Sequence, residues 1–167
     1  VIKQHISNIK EISLLVDFDI FLIRPLIVTD DFDLMGVAQG QDSIKFLWPG
    51  MIAINGNKCT NINEIDLRGA FIKKDGSDFY IANSHKVFEL GAYASLIKDH
   101  YPMDSGAMLH FYIKKYNPLI KFLSMEHILH SEDSIKYLPE DLIGKYNNEY
   151  VFWVIGGCFL HMARGSN

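Results

Sequence analysis

Glu11 to Ile23 reads EISLLVDFDIFLI, and the fold expectation starts from this stretch. It is a nearly continuous apolar run rich in β-favouring residues, ended by Arg24-Pro25. A run of that length fits a strand buried on both faces, the kind found inside an α/β sheet. Only Asp17 and Asp19 interrupt it. On a strand, residues two apart point to the same face, so the pair would lie together with Phe18 turned away. Burying two unpaired carboxylates side by side is costly. A divalent cation resolves both the desolvation and the repulsion, because oxygen ligands suit Mg²⁺ or Mn²⁺ and the ion can then hold a diphosphate. The plain alternative is a strand that ends at Val16, leaving two solvated carboxylates.

Outward from that run, Asp30-Asp31-Phe32-Asp33 is a polar turn, Leu34 to Ala38 a second strand and Met51 to Asn55 a third. Asp75-Gly76 predicts a hairpin between Ala70–Lys73 and Phe79–Ala82. Helical spacing at Val87, Leu90, Tyr93, Ala94 and Ile97 predicts a helix ending before Tyr101-Pro102. Asp104 or Ser105 can cap a second helix that Asn117-Pro118 stops. Leu119 to Met125 reads as a short strand, Ser134 to Tyr146 as a polar loop or short helix, and Tyr150 to His161 as a closing strand. Alternating strands and helices define an α/β expectation over one domain, residues 1–167.

Composition narrows the function classes. The chain is 49% hydrophobic and 22% charged, enough apolar content for a sizeable core, which excludes a disordered tail. Net charge is −4 with no Lys/Arg block, unlike the basic footprint of a dedicated nucleic-acid binder, so no nucleic-acid partner is expected. Cys59 and Cys158 belong to no CxxC or Cys/His cluster, which points to a reducing compartment. No stretch reaches the ~20 apolar residues of a transmembrane span. The opening VIKQHISNIKEI is not a signal peptide. The expected location is therefore cytoplasmic or peripheral to a membrane. A start at Val and a stop at Arg164-Gly165-Ser166-Asn167, just after an apolar strand, read as a piece of a longer polypeptide.

LLVDFDIFLIRPL (Leu14 to Leu26) resembles the D-x-D region of GT-A-fold, nucleotide-sugar-dependent glycosyltransferases. Asp33 to Ala38 resembles that family's next strand, and Trp48-Pro49-Gly50-Met51-Ile52-Ala53-Ile54-Asn55 its acceptor-side strand, with Pro49 where Ser is commoner. Phe159 to Asn167 (FLHMARGSN) resembles the closing strand, whose His completes the metal site and whose following loop holds phosphate. The motifs are short and occur in order over most of the chain. The resemblance implies a GT-A-like (Rossmann-like) mixed sheet flanked by helices, present whole or only in its C-terminal part. In the family a nucleotide-binding βαβ half precedes the D-x-D strand, whereas only Val1 to Lys10 precede it here.

The same resemblance implies a transferase moving a sugar from a nucleotide-diphosphate sugar, UDP-sugar favoured, to an acceptor hydroxyl on a glycan or glycoconjugate. Asp17, Asp19 and His161 would hold Mn²⁺ or Mg²⁺. Arg164, Gly165 and Ser166 would take the β-phosphate, with Asp17 also on the donor. Trp48, Gly50 and Met51 would line the sugar side; Asp104, not itself matched by the resemblance, would serve as base or substrate anchor. Each has a bland counterpart: a hydrogen-bonded strand-end His161, a solvated Arg164, a helix-capping Asp104, and Trp48, Tyr101 and Tyr112 as packing residues. The apolar D-x-D stretch also resembles the first motif of haloacid-dehalogenase-type phosphatases, where Asp17 would be nucleophile and Asp19 acid/base. Phe21 stands where that superfamily has Thr or Val, and no late acidic pair for Mg²⁺ is evident. A glycan-binding or interaction domain is the non-enzymatic alternative.

Overall fold

The computed structural model describes Ile6 and residues 9–81, 98–128 and 150–164. Its architecture corrects the α/β expectation. The described residues form three mainly antiparallel sheets and a single α-helix, so there is no GT-A-like or Rossmann-like sheet flanked by helices. The elements are β1 (Ile12–Val16), β2 (Ile20–Leu22), β3 (Leu34–Gln41), β4 (Ile44–Asn55), a 3-10 turn (Ile62–Glu64), β5 (Ala70–Lys73), β6 (Phe79–Tyr80), β7 (His100–Met103), α1 (Leu109–Tyr116), β8 (Ile120–Leu123), β9 (Met125–Ile128), β10 (Tyr150–Ile155) and β11 (Phe159–Arg164). The expected helix over 87–97, the 134–146 segment and the Ala82 end of the hairpin lie outside the described residues.

Turn chemistry explains the difference. A parallel sheet needs long crossovers, whereas a turn of two or three residues returns the chain antiparallel. β3 reaches β4 through Asp42-Ser43, with Asp42 in the left-handed region (φ 52°). β10 reaches β11 through Gly156-Gly157-Cys158, with both glycines at positive φ. The closing strand expected over 150–161 is therefore two strands, folded back at a Gly-Gly pair. The 11–23 run is also two strands, since Asp17-Phe18-Asp19 is a turn and the Ile20 N–H donates to the Asp17 carbonyl at 3.2 Å. The hairpin about Asp75-Gly76 forms, with Phe71 opposite Tyr80.

The first sheet has the order β1-β4-β3-β8, antiparallel except for the β3–β8 pair, the second β2-β11-β10-β9 and the third β6-β5-β7. The chain passes from the first sheet to the second twice, through Asp17-Phe18-Asp19 and again at Ser124, whose carbonyl accepts the Gly156 N–H. β4 is the central strand, and its Met51 to Asn55 are all buried. Leu34, Ile52, Ile54, Ile72 and Leu109 pack a main core against α1. Ile20, Val37, Met51, Ile155 and Phe159 form a second core that joins the first two sheets.

Asn55, 1% exposed, closes the end of β4. Its amide donates to the Phe32 carbonyl at 3.1 Å, and its Oδ1 accepts the Asn57 N–H at 3.2 Å. Asn55→Ala strands a buried carbonyl and an N–H, so it should cost about 1–3 kcal/mol in urea unfolding. Cys59 sits behind it and donates its S–H to the Asp33 carbonyl. Burial pushes the Cys59 thiol up to about 11, so it should resist iodoacetamide at pH 8 until the protein is unfolded.

Candidate functional site

The ladder between β3 and β4 breaks at one place. Gly36 pairs with Ile52 and Ala38 with Leu47, so a step of two residues on β3 is matched by five on β4. The surplus forms a bulge at Trp48-Pro49-Gly50. Proline has no N–H to give a ladder and is confined to edges and bulges, which is why the irregularity falls there. All three bulge residues have neighbours that matter. The Gly50 carbonyl accepts the Asp17 N–H at 2.8 Å and so anchors the D-x-D turn. A Cβ on Gly106 would lie 2.9 Å from Pro49, so the turn that starts at Asp104 rests on the bulge. The Trp48 ring lies 4.8 Å from that of His161, centroid to centroid, tilted by 50°.

His161 comes from β11, where it pairs with Ile20 of β2 and Trp153 of β10. That register sets it beside the D-x-D turn. Its Nε2 stands 3.5 Å from Asp19 Oδ2, within ion-pair range but longer than an ordinary hydrogen bond. The other polar atom of each group, Asp19 Oδ1 and His161 Nδ1, is buried without a hydrogen-bond partner among the described residues. Buried polar atoms are nearly always satisfied, so two orphans on one contacting pair call for a ligand. The 3.5 Å gap is also close to the roughly 3 Å between neighbouring ligands of an octahedral ion with ~2.1 Å bonds.

Asp17 takes a different position. The turn leaves it exposed while Asp19 is half-buried, so the two carboxylates do not share one strand face. Among the described residues no group of three His, Cys, Asp or Glu side chains is placed to hold a metal, so Asp17 does not join Asp19 and His161 in one cluster. Asp104 is exposed, and its Oδ1 accepts the Ser105 N–H at 2.7 Å. It begins the run of turns leading into α1, whose N-cap position is Met108. Met51 is fully buried in the core between the first two sheets, behind the site rather than in it. Gly50 is buried under Trp48. Arg164 ends β11, while Gly165 and Ser166 lie outside the described residues.

Tyr112 is buried and donates to the Thr60 carbonyl at 2.6 Å, and burial raises its phenol, so it serves packing. Tyr101 donates to Asp42. Sequence reasoning gave His110 no role. It is 5% exposed and bridges the Lys45 backbone and the Gly76 carbonyl, a structural tie between β4 and the Asp75-Gly76 turn. Its neighbours Leu109 and Tyr112 on the buried face of α1 were the signal for that burial.

The bulge geometry sets one prediction. A Cβ on Gly50 would fall 2.2 Å from the Trp48 ring. Gly50→Ala should therefore push the indole off His161, cost about 1–3 kcal/mol in thermal unfolding and change tryptophan fluorescence. No family model, curated protein or solved structure matches this chain. No helix among the described residues is long and apolar enough to cross a membrane.

Proposed function

We propose that the chain carries the catalytic region of a metal-dependent glycosyltransferase that moves a sugar from a nucleotide-diphosphate sugar, UDP-sugar favoured, to a hydroxyl of a glycan or glycoconjugate, in the cytoplasm or at a membrane periphery. The D-x-D and FLHMARGSN resemblances support the reading, and the Asp19–His161 pair with its two orphaned atoms is the observation that carries it. Mn²⁺ or Mg²⁺ would supply Lewis-acid neutralisation of the diphosphate leaving group. Asp19 and His161 would hold it. Two protein ligands suffice where substrate phosphate and water complete the coordination, as is usual for Mg²⁺.

The other residues keep roles that their positions allow. Trp48, in contact with His161, would hold the imidazole plane. Asp17, exposed on the same turn, adds negative charge that draws a cation to the surface. Asp104 is an exposed carboxylate at the start of a turn packed on the same bulge, able to take the proton of an acceptor hydroxyl. Arg164 follows His161 on β11 by three residues, at the strand end where a phosphate-binding loop would begin.

Calorimetric titration tests the reading. UDP, GDP and their sugar conjugates are titrated into folded protein with Mn²⁺ and then with chelator. Binding that needs the metal is expected and would name the nucleotide. If folded protein, also carried on a chain extended upstream, binds none of these, the transferase reading falls.

A further inference from the structure

A second site lies further along the same hairpin. β8 stops at Leu123, opposite Val37, so among the described residues Ala38–Gln41 of β3 pair with β4 alone, and a cavity of about 490 Å³ opens against them and against Ile44–Phe46 of β4. That volume is within the ~300–1,000 Å³ range of small-molecule pockets. Its apolar floor comes from Ile113 of α1 and Ile120 of β8, and Phe122, 62% exposed, presents a ring at its wall. The rim carries the exposed side chains of Gln39, Gln41, Asp42 and Lys45. Gln39, Gln41 and the Lys45 ammonium have no side-chain partner among the described residues.

That mixture selects a ligand chemistry. A primary amide offers donors and an acceptor side by side, matching hydroxyls that do both. The negative face of an aromatic ring takes the C–H face of a pyranose. A purely apolar ligand would make no use of the two amides, which the register sets on one face of β3. A peptide strand added to the edge is the other candidate, but among the described residues that stretch of β3 is only Ala38–Gln41, and Gly40 within it sits at φ 143°.

We infer that this cavity is a saccharide subsite, holding units of a glycan chain away from the reacting hydroxyl. Its place fits that role, because Phe46 lines it and Trp48, two residues on, touches His161. The direction of the chain rests on the transferase reading, whereas the binding of sugar does not. Calorimetry or NMR titration with maltotriose, cellotriose and chitotriose, in chelator and without nucleotide, separates the two. Binding of at least one probe is expected, weakened roughly fivefold by Phe122→Ala and by Gln41→Ala, and unchanged in Asp19→Ala. Both weakened variants alter exposed side chains, and circular dichroism checks that they are folded.

No binding by any probe overturns the subsite. So does binding that Asp19→Ala abolishes and Phe122→Ala leaves intact, which would place the sugar at the Asp19–His161 pair. An extended peptide that shifts the 38–41 amides while the sugars do not would make the edge a strand-docking site instead. If the saccharide binds at the cavity while the metal–nucleotide titration fails, the subsite stands and the transferase reading alone falls.

Discussion

Asp19→Ala should lose metal-dependent nucleotide binding by roughly a hundredfold or more, equivalent to about 2.7 kcal/mol, without lowering the stability of the metal-free protein. The two halves of that result have one cause. Asp19 Oδ1 is buried without a partner among the described residues, and Oδ2 reaches His161 only at 3.5 Å. In the absence of a cation the carboxylate is therefore poorly compensated, and removing it relieves desolvation about as much as it forfeits attraction. The change in metal-free unfolding should stay within about 1 kcal/mol. Wild-type protein should gain thermal stability when Mn²⁺ and a nucleotide sugar are added together, and the variant should gain none. Asp19→Asn, which keeps the shape and removes the charge, should behave like the alanine variant. A variant that unfolds would mark the pair as structural, and one that binds nucleotide normally would remove it from the site.

The second large effect belongs to the core. Ile54 is fully buried on β4, paired with Ser13 of β1 on one side and Leu34 of β3 on the other. Ile54→Ala should cost about 2–5 kcal/mol by urea unfolding, a large share of the roughly 5–15 kcal/mol that holds an ordinary domain together. Leu22→Ala is the matched control. Leu22 is 61% exposed on β2, and its loss should change stability by less than about 0.5 kcal/mol. A Leu22 cost approaching that of Ile54 would show that the apolar strip of Phe18, Phe21 and Leu22 is covered in solution.

The nearness of Asp19 and His161 was legible only through the family resemblance, since no local pattern joins a D-x-D stretch to a histidine so far along the chain; the structure sets them 3.5 Å apart. The sheet class was missed for local reasons. A continuous apolar run cannot show whether it is one buried strand or two joined by a turn, and Asp17-Phe18-Asp19 proves to be such a turn. Gly156-Gly157 was the available hairpin signal, inside the stretch expected to be one closing strand. The bulge was half legible, because Pro49 inside an apolar run argues against a regular ladder. That it gathers Asp17, His161 and the Asp104 turn depends on contacts far apart in sequence, which no local pattern encodes.

The site draws on both sides of a seam. Trp48 belongs to β4 in the first sheet, His161 to β11 in the second, and Asp19 to the turn that joins them. Sliding of one sheet past the other would pull these three side chains apart. A ligand that grips both Asp19 and His161 would therefore act as a rivet through the seam. Its binding should slow hydrogen exchange in β2 and β11 together with β4, well beyond the residues it touches.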